Sequence, residues 1–133
     1  MAQQLTAEEQ EVLDLFQSFL KGMQERRPAS LLEIVLPDGM MTRVSNGEVR
    51  QLTIAALLDI FPKDGTSVLE ERIYDPIVRT EGDIAVIWCA YDFRVDGEIR
   101  HSGTNIVSLA RVDGRWLISG LSDTARYPSP SAA

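Results

Sequence analysis

The chain has 133 residues, of which 44% are hydrophobic and 25% are charged, and its formal net charge is -7 at pH 7. This length and mixture suit one globular domain with its own hydrophobic core. The acidic balance argues against a nucleic-acid partner or an anionic-membrane partner, because both demand a basic surface.

Cys89 is the only cysteine and His101 the only histidine. One cysteine excludes an intrachain disulfide, and one histidine without clustered carboxylates makes a poor metal site, so we expect no metal and no cofactor. No apolar run approaches the length of a membrane span, and the N-terminus lacks the apolar core of a secretion signal. We therefore expect a soluble, cytoplasmic protein.

The N-terminal region is predicted to be helical. Thr6-Ala7-Glu8-Glu9 is a capping box, which marks a helix start. Behind it, apolar residues recur at helical spacing and can bury one whole face; they are Val12, Leu13, Leu15, Phe16, Phe19, Leu20 and Met23. Pro28 can open a second short helix, which Pro37-Asp38-Gly39 ends.

The remainder of the chain is predicted to be mostly strands separated by turn signals. Asn46-Gly47 predicts a hairpin between residues 40–44 and 48–52, and Thr53 can cap a brief helix after it. Pro76 implies an edge position or a bulge in the strand that contains it. The predicted long strands are Val68–Thr80, Ile84–Val95, Glu98–Val112 and Arg115–Ser122, of which the last three are joined by Asp96-Gly97 and Asp113-Gly114. The pattern indicates helices packed on a twisted antiparallel sheet.

The two Asp-Gly loops also predict which residues lie opposite each other, because a two-residue turn sets the register of its strands. The first loop predicts three pairs: Asp92 with His101, Ala90 with Gly103, and Trp88 with Asn105. The second loop predicts two more: Asn105 with Ser122, and Leu109 with Ile118.

These pairs bring polar groups together on one face of the predicted sheet, where they surround Trp88. The group consists of Asp92, His101, Asn105 and Ser122, with the small residues Ala90 and Gly103 leaving room. Convergent polar groups on an apolar, aromatic floor are typical of a small-molecule pocket. Asp92 can orient His101 as a base, and Asn105 can donate to a developing oxyanion. The alternative is structural: a lone histidine held by hydrogen bonds, with Asp92 paired to Arg94 or Arg100.

Neither face of the predicted sheet is cleanly polar, so both faces are expected to be covered. Helices can cover one face. An identical subunit is the commonest cover for the other, and we therefore expect a homodimer through a sheet face.

Three segments of the sheet resemble the nuclear-transport-factor-2-like superfamily, nearest to its SnoaL-like and lumazine-binding branches. They are residues 84–97 (IAVIWCAYDFRVDG), 101–105 (HSGTN) and 116–124 (WLISGLSDT), and the likeness spans roughly residues 8–126. The resemblance implies an α+β fold in which N-terminal helices pack on a strongly curved antiparallel sheet to form a cone with an internal pocket. It also implies one domain over residues 1–126, a flexible tail over residues 127–133, and often a homodimer.

The resemblance covers enzymes as well as silent binding modules, so two functions remain open. The first is a cofactor-independent enzyme with isomerase, cyclase or dehydratase chemistry on a small hydrophobic molecule. His101 and Asp92 would then be its acid/base pair and Asn105 its polarising group. Its substrate site would be lined by Trp88, Ala90, Gly103, Ser122, Phe16 and Phe19. The second is a non-catalytic ligand-binding or dimerisation module, in which Phe16, Phe19 and Trp88 fill the cone.

Overall fold

The structure, a computed structural model, describes residues 3–128. It contains two α-helices, a 3-10 helix and six strands. The helices are α1 (Ala7–Gln24), the 3-10 helix (Pro28–Ile34) and α2 (Ile54–Ile60). The strands are β1 (Val35–Ser45), β2 (Glu48–Thr53), β3 (Leu69–Glu81), β4 (Ile84–Val95), β5 (Glu98–Val112) and β6 (Arg115–Thr124).

Helix α1 begins at the predicted capping box. The hydroxyl of Thr6 accepts a hydrogen bond from the amide of Glu9 at 3.1 Å, and the Glu9 carboxylate accepts one from the amide of Thr6 at 2.9 Å. These bonds satisfy two of the amides that a helix start leaves without intrahelical partners. The apolar stripe behind the cap packs on the sheet, and Val12, Phe16 and Phe19 are fully buried there.

The six strands form one open sheet in the order β2-β1-β6-β5-β4-β3. Four of the five neighbouring pairs are antiparallel, but β1 runs parallel to β6. The fold class is therefore α+β as predicted, and the predicted long strands, β3 to β6, pair antiparallel as expected. The parallel pair β1–β6, which was not predicted, makes the whole sheet mixed. The parallel pair arises because the chain leaves β2 through α2 for the opposite edge and then returns strand by strand to β1.

The predicted hairpin turns are confirmed by their backbone angles. Both central residues have positive φ: 52° and 77° at Asn46-Gly47, 53° and 85° at Asp96-Gly97, and 51° and 77° at Asp113-Gly114. A type I′ turn requires this conformation, which glycine adopts freely and Asn or Asp tolerates.

The predicted registers hold beside these turns and then slip by one residue. Between β4 and β5, Arg94 pairs with Ile99 as expected, but Phe93 pairs with His101, so Arg100 is an extra residue. Between β5 and β6, Leu109 pairs with Ile118 as predicted, but Ser108 pairs with Gly120, so Ser119 is extra. Each extra residue is a β-bulge, which bends a strand and increases its twist.

The bulges make four predicted pairs wrong. In the structure the corresponding pairs are Asp92 with Ser102, Ala90 with Thr104, Trp88 with Ile106, and Asn105 with Asp123. A slip of one residue turns a strand's side chains to the opposite face. Beyond the bulge, Cys89 and Tyr91 of β4 therefore face the helices with Asn105, whereas Trp88 lies on the outer face with 52% of its surface exposed.

A third bulge lies in β3, between Tyr74 and Ile77, and β3 is an edge strand. Pro76 predicted either an edge position or a bulge, and the strand that contains it has both. Within residues 3–128, no helix has the length and apolar character needed to cross a bilayer.

Candidate functional site

The helices and the inner face of the sheet enclose a cavity of about 670 Å³. Its apolar lining comes largely from α1, α2 and the strands near them: Phe16, Phe19, Leu20, Met23, Met41, Leu52, Leu57, Ile60 and Phe61. Its polar lining comes from the sheet and includes Arg43, Glu48, Arg50, Glu71, His101, Asn105 and Asp123. This volume and mixture suit a small organic ligand that is mostly apolar. Phe16 and Phe19 line the cavity without filling it.

His101 borders the cavity and is held by a chain of two hydrogen bonds. Its Nδ1 lies 3.0 Å from the hydroxyl of Tyr91, which in turn donates to the carbonyl oxygen of Thr124 at 2.8 Å. A carbonyl oxygen can only accept, so the single hydroxyl proton of Tyr91 is donated to the carbonyl oxygen of Thr124. Nδ1 of His101 must then carry a hydrogen and donate to Tyr91. In neutral His101, Nε2 is consequently the unprotonated nitrogen.

The surroundings of His101 favour this neutral form. Burial lowers its pKa below the ordinary 6.5, and the positive charge of Arg43 lowers it further, against an opposing influence of Asp123. The ring of Phe93 stacks on the imidazole with centroids 5.2 Å apart, and the ring of Tyr127 lies 5.3 Å away. A neutral imidazole with a free Nε2 can act as a base near neutral pH.

A second polar pair lies across the inner face of the sheet. Nδ2 of Asn105 donates to Oε2 of Glu71 at 2.8 Å. Burial raises the pKa of Glu71 to about 7, and the negative charges of Asp123 and Asp92 add to that effect; the bond from Asn105 and the charge of Arg43 oppose it. Glu71 is thus a carboxyl group that changes protonation near neutrality.

Arg43 and Asp123 form a bidentate ion pair beside these groups. Nε and Nη2 of Arg43 donate to the two carboxylate oxygens of Asp123 at 2.9 and 2.8 Å. The parallel pairing of β1 with β6 places the two residues opposite each other, and Asp123 is also the cross-strand partner of Asn105. Each charge in this pair therefore has its counter-charge, and the geometry is rigid.

The structure brings five of the predicted site residues to the cavity: His101, Asn105, Ser122, Phe16 and Phe19. Asp92 is not among them. Its carboxylate accepts from Nε of Arg94 at 2.9 Å and from the hydroxyl of Tyr74 at 2.6 Å, and the bond from Arg94 lowers its pKa. The bulge at Arg100 puts Asp92 and His101 on opposite faces. The predicted acid/base pair is therefore wrong.

Trp88, Ala90 and Gly103 also do not line the cavity. Trp88 and Ala90 lie on the outer face because of the same slip in register. Gly103 is buried on the inner face, where a Cβ would lie 2.1 Å from the carbonyl oxygen of Thr124. The absent side chain makes room for the end of β6 and not for a substrate.

Cys89 is buried behind Asn105, its cross-strand partner. Burial, together with the charge of Glu71, raises the pKa of the thiol to about 12. The thiol therefore remains protonated, as an inert core cysteine should. No group of three or more His, Cys, Asp or Glu side chains that could bind a metal occurs within the described part of the chain.

Four residues of the site were not predicted: Arg43, Glu71, Tyr91 and Asp123. A signal for Glu71 was present, because it lies between Leu69 and Ile73 at period-two spacing and so shares the face of two apolar residues. Tyr91 alternates with Ala90 and Asp92 along β4, so the predicted register placed it on the face opposite the predicted site. Arg43 and Asp123 are 80 residues apart, and only the β1–β6 pairing brings them together.

Comparison with known proteins finds structures of similar fold and a matching family. No protein with a curated description matches the chain. Among solved structures, the chain is similar to a nuclear-transport-factor-2-like protein of unknown function from Pseudomonas putida KT2440, with 13% identity over 98% of this chain and 95% of that chain and a TM-score of 0.75. It is similar to such a protein from Cytophaga hutchinsonii ATCC 33406, with 20% identity over 92% and 100% and a TM-score of 0.69.

A third similar structure, from Streptomyces avermitilis, is described as a "putative dehydratase" of the same family, with 14% identity over 91% of this chain and 97% of that chain and a TM-score of 0.67. These likenesses show a common fold. The family model described as "Putative lumazine-binding" matches residues 7–120. The chain therefore belongs to this family, and it has the fold of the nuclear-transport-factor-2-like proteins.

Proposed function

We propose that this protein is a cofactor-independent enzyme that moves protons on a small, mostly apolar organic molecule, in an isomerisation, cyclisation or dehydration. His101 is the base, acting through Nε2. One N–H of the Asn105 amide donates to Glu71. Its second N–H donates to the substrate oxygen on which negative charge develops. The apolar lining, including Phe16 and Phe19, holds the body of the substrate, and Ser122 borders it.

The observation that supports this proposal best is the hydrogen-bond chain from His101 through Tyr91 to the carbonyl oxygen of Thr124. A purely structural histidine needs no unpartnered nitrogen at a cavity wall. Here the Tyr91 hydroxyl fixes the tautomer, burial disfavours the imidazolium, and Nε2 has no protein partner among residues 3–128. A neutral imidazole with an unprotonated nitrogen meets the requirement of a general base.

Proton abstraction can be measured before the natural substrate is known. Small apolar aryl ketones are incubated with the protein in deuterated water, and loss of the signal of the protons next to the carbonyl is followed by NMR. We expect the wild type to accelerate exchange and His101→Gln to lose that acceleration, by about 10²–10⁴-fold for a lost general base. Trp88→Ala, on the outer face, is the control and should retain the wild-type rate.

Exchange at the same rate with the wild type and with His101→Gln would contradict the catalytic role of His101. The second function, a non-catalytic binding module, is favoured by the state of Arg43 and Asp123, which satisfy each other and need no substrate. That function predicts ketones that bind in the cavity, by NMR line broadening, without any accelerated exchange.

We also propose that the protein forms a homodimer through the outer face of the sheet. Ile77, Trp88 and Ile106 lie opposite one another across β3, β4 and β5, and all three are exposed. Ile84 and Val86 extend this apolar patch along β4. Sedimentation velocity should give the mass of two chains for the wild type and of one chain for Trp88→Glu. A monomeric wild type at micromolar concentration would contradict the proposal.

A further inference from the structure

Glu71 is a carboxyl group at the cavity wall with no cation of its own. Its only hydrogen bond among the described residues comes from Asn105, which is uncharged. Arg43, the cation that lowers the pKa of Glu71, is already bonded to both carboxylate oxygens of Asp123. The helix beside Glu71 offers apolar groups, since Leu20 and Met23 of α1 line the same small cleft.

The charged and titratable groups near Glu71 do not favour its ionised form. Asp123 on β6 and Asp92 on β4 are negative and repel a carboxylate, while Arg43 on β1 attracts it weakly through a neutralised pair. Cys89 on β4 stays protonated, and His101 on β5 is neutral near pH 7. A carboxyl group in this setting keeps its proton unless a ligand brings a positive charge.

The bond from Asn105 also determines which oxygen carries the proton. Oε2 accepts from Nδ2 of Asn105, and this bond favours Oε2 as the carbonyl-type oxygen of the acid form, because that oxygen is the better acceptor. The proton belongs on Oε1, which has no protein partner among residues 3–128. A carboxylic acid held in this way is an O–H donor with a fixed orientation.

We propose that Glu71 is the ligand-selecting group of the pocket, and that its Oε1–H donates to the carbonyl or hydroxyl oxygen of an uncharged ligand. This inference deepens the proposed function: it rests on an open pocket but not on His101 as a base. The pocket should prefer a neutral ketone or alcohol at low pH and an ammonium group at high pH, where Glu71 is ionised.

Three naphthalenes of similar size test this preference by fluorescence titration. They are 2-acetylnaphthalene, which has a carbonyl oxygen; 2-ethylnaphthalene, which has no polar group; and 2-naphthylmethylamine, which is a cation. Only the acid form of Glu71 donates, and its pKa is about 7. The affinity for the ketone should therefore fall between about pH 5.5 and about pH 8.5, by up to about thirtyfold, which is the change in the fraction of Glu71 that is protonated. The hydrocarbon should show no such change, and the amine should bind more tightly at the higher pH.

Glu71→Gln is the matched variant, because glutamine keeps the shape of the side chain, the acceptor for Asn105 and an N–H donor but cannot ionise. It should bind the ketone with an affinity that does not depend on pH and should lose the gain for the amine. His101→Gln separates the titration of His101 from that of Glu71 and should keep the wild-type trend. The carboxyl carbon of Glu71, followed by NMR without ligand, should titrate near pH 7.

A ketone affinity that does not change with pH, while the hydrocarbon binds, would overturn the role of Glu71 and leave the pocket of the proposed function in place. Titration of the Glu71 carboxyl at its ordinary pKa would overturn the same role. If none of the three probes binds at any pH, the pocket itself is contradicted, and both proposals fall.

Discussion

The hydroxyl of Tyr91 and Nδ1 of His101 lie 3.0 Å apart on neighbouring strands, and this contact decides which imidazole nitrogen is available to a ligand. Tyr91 gives its proton to the carbonyl oxygen of Thr124 and can only accept from His101. The backbone at the end of β6 thus controls the tautomer of the single histidine through one intervening side chain.

Tyr91→Phe should release this control. Without its acceptor, Nδ1 of His101 loses the bond that favours the Nδ1–H tautomer, and removing a buried hydrogen bond costs about 1 kcal/mol of stability. The ¹⁵N spectrum of the only histidine should show one dominant tautomer in the wild type and a mixture in Tyr91→Phe. Identical tautomer populations in both proteins would show that the Tyr91 contact does not set the protonation pattern.

Gly103→Ala should destabilise the protein, because the added Cβ would lie 2.1 Å from the backbone oxygen of Thr124. The end of β6 must move, at a cost of about 2–3 kcal/mol in the free energy of unfolding. Gly120→Ala is the control, since its Cβ would meet the movable Ser108 hydroxyl at 2.9 Å and should cost less than about 1 kcal/mol. Urea denaturation measures both, and equal costs would mean that the close approach at Gly103 is not decisive.

Asp123→Ala should lower the free energy of unfolding, because it leaves the guanidinium of Arg43 without its counter-charge at the cavity wall. Hydrogen bonds to charged groups and partly buried ion pairs of this geometry are worth about 2–4 kcal/mol when one partner is removed. Glu70→Ala removes a more exposed partner, that of Arg72, and should cost at most about 0.5 kcal/mol. Thermal or urea unfolding of the two variants compares them. A loss at Asp123 no larger than that at Glu70 would contradict the bidentate pair.

The raised pKa of Glu71 has a consequence for stability. The folded protein holds this proton up to about pH 7, whereas the ordinary value is 4.5, so folded chains bind more protons than unfolded ones in that window. The free energy of unfolding should therefore fall as pH rises from about 4.5 to about 7, by on the order of 2 to 3 kcal/mol from this group. Glu71→Gln should remove that part of the dependence and gain stability relative to the wild type at pH 8. A difference between the two proteins that is the same at pH 5 and pH 8 would contradict the raised pKa.

The local signals in the sequence predicted much of the fold. The capping box at Thr6 and the Asp-Gly and Asn-Gly turns each depend on a few adjacent residues, and each is confirmed. The α+β class follows from them together with the periodic stripe of α1. Each of these features is determined by a few neighbouring residues, so it can be predicted without knowledge of the tertiary structure.

The site was less predictable because it depends on two bulges and one distant pairing. Nothing in the residue types of Arg100 or Ser119 marks them as extra residues, yet each moves every later pair by one position. His101 and Asn105 lie on the same face, as predicted, because both follow the extra residue Arg100 on β5 and are four residues apart. Asp92 and Trp88 of β4 lie beyond the bulge at Arg100 and are on the outer face, where the predicted register had placed Tyr91 and Cys89.

The pH dependence of ketone proton exchange tests the central claim, that His101 is the base of a proton-transferring pocket. With 2-acetylnaphthalene in deuterated water, the wild type should exchange the methyl protons faster than buffer does. As pH increases, that rate should first rise as His101 loses its proton, at a pH below the ordinary histidine pKa of 6.5. It should decline above about pH 7, where Glu71 ionises. His101→Gln should exchange no faster than buffer, and Glu71→Gln should lack the decline at high pH. A His101→Gln variant that matches the wild type, or a wild type that matches buffer at every pH, would contradict the claim.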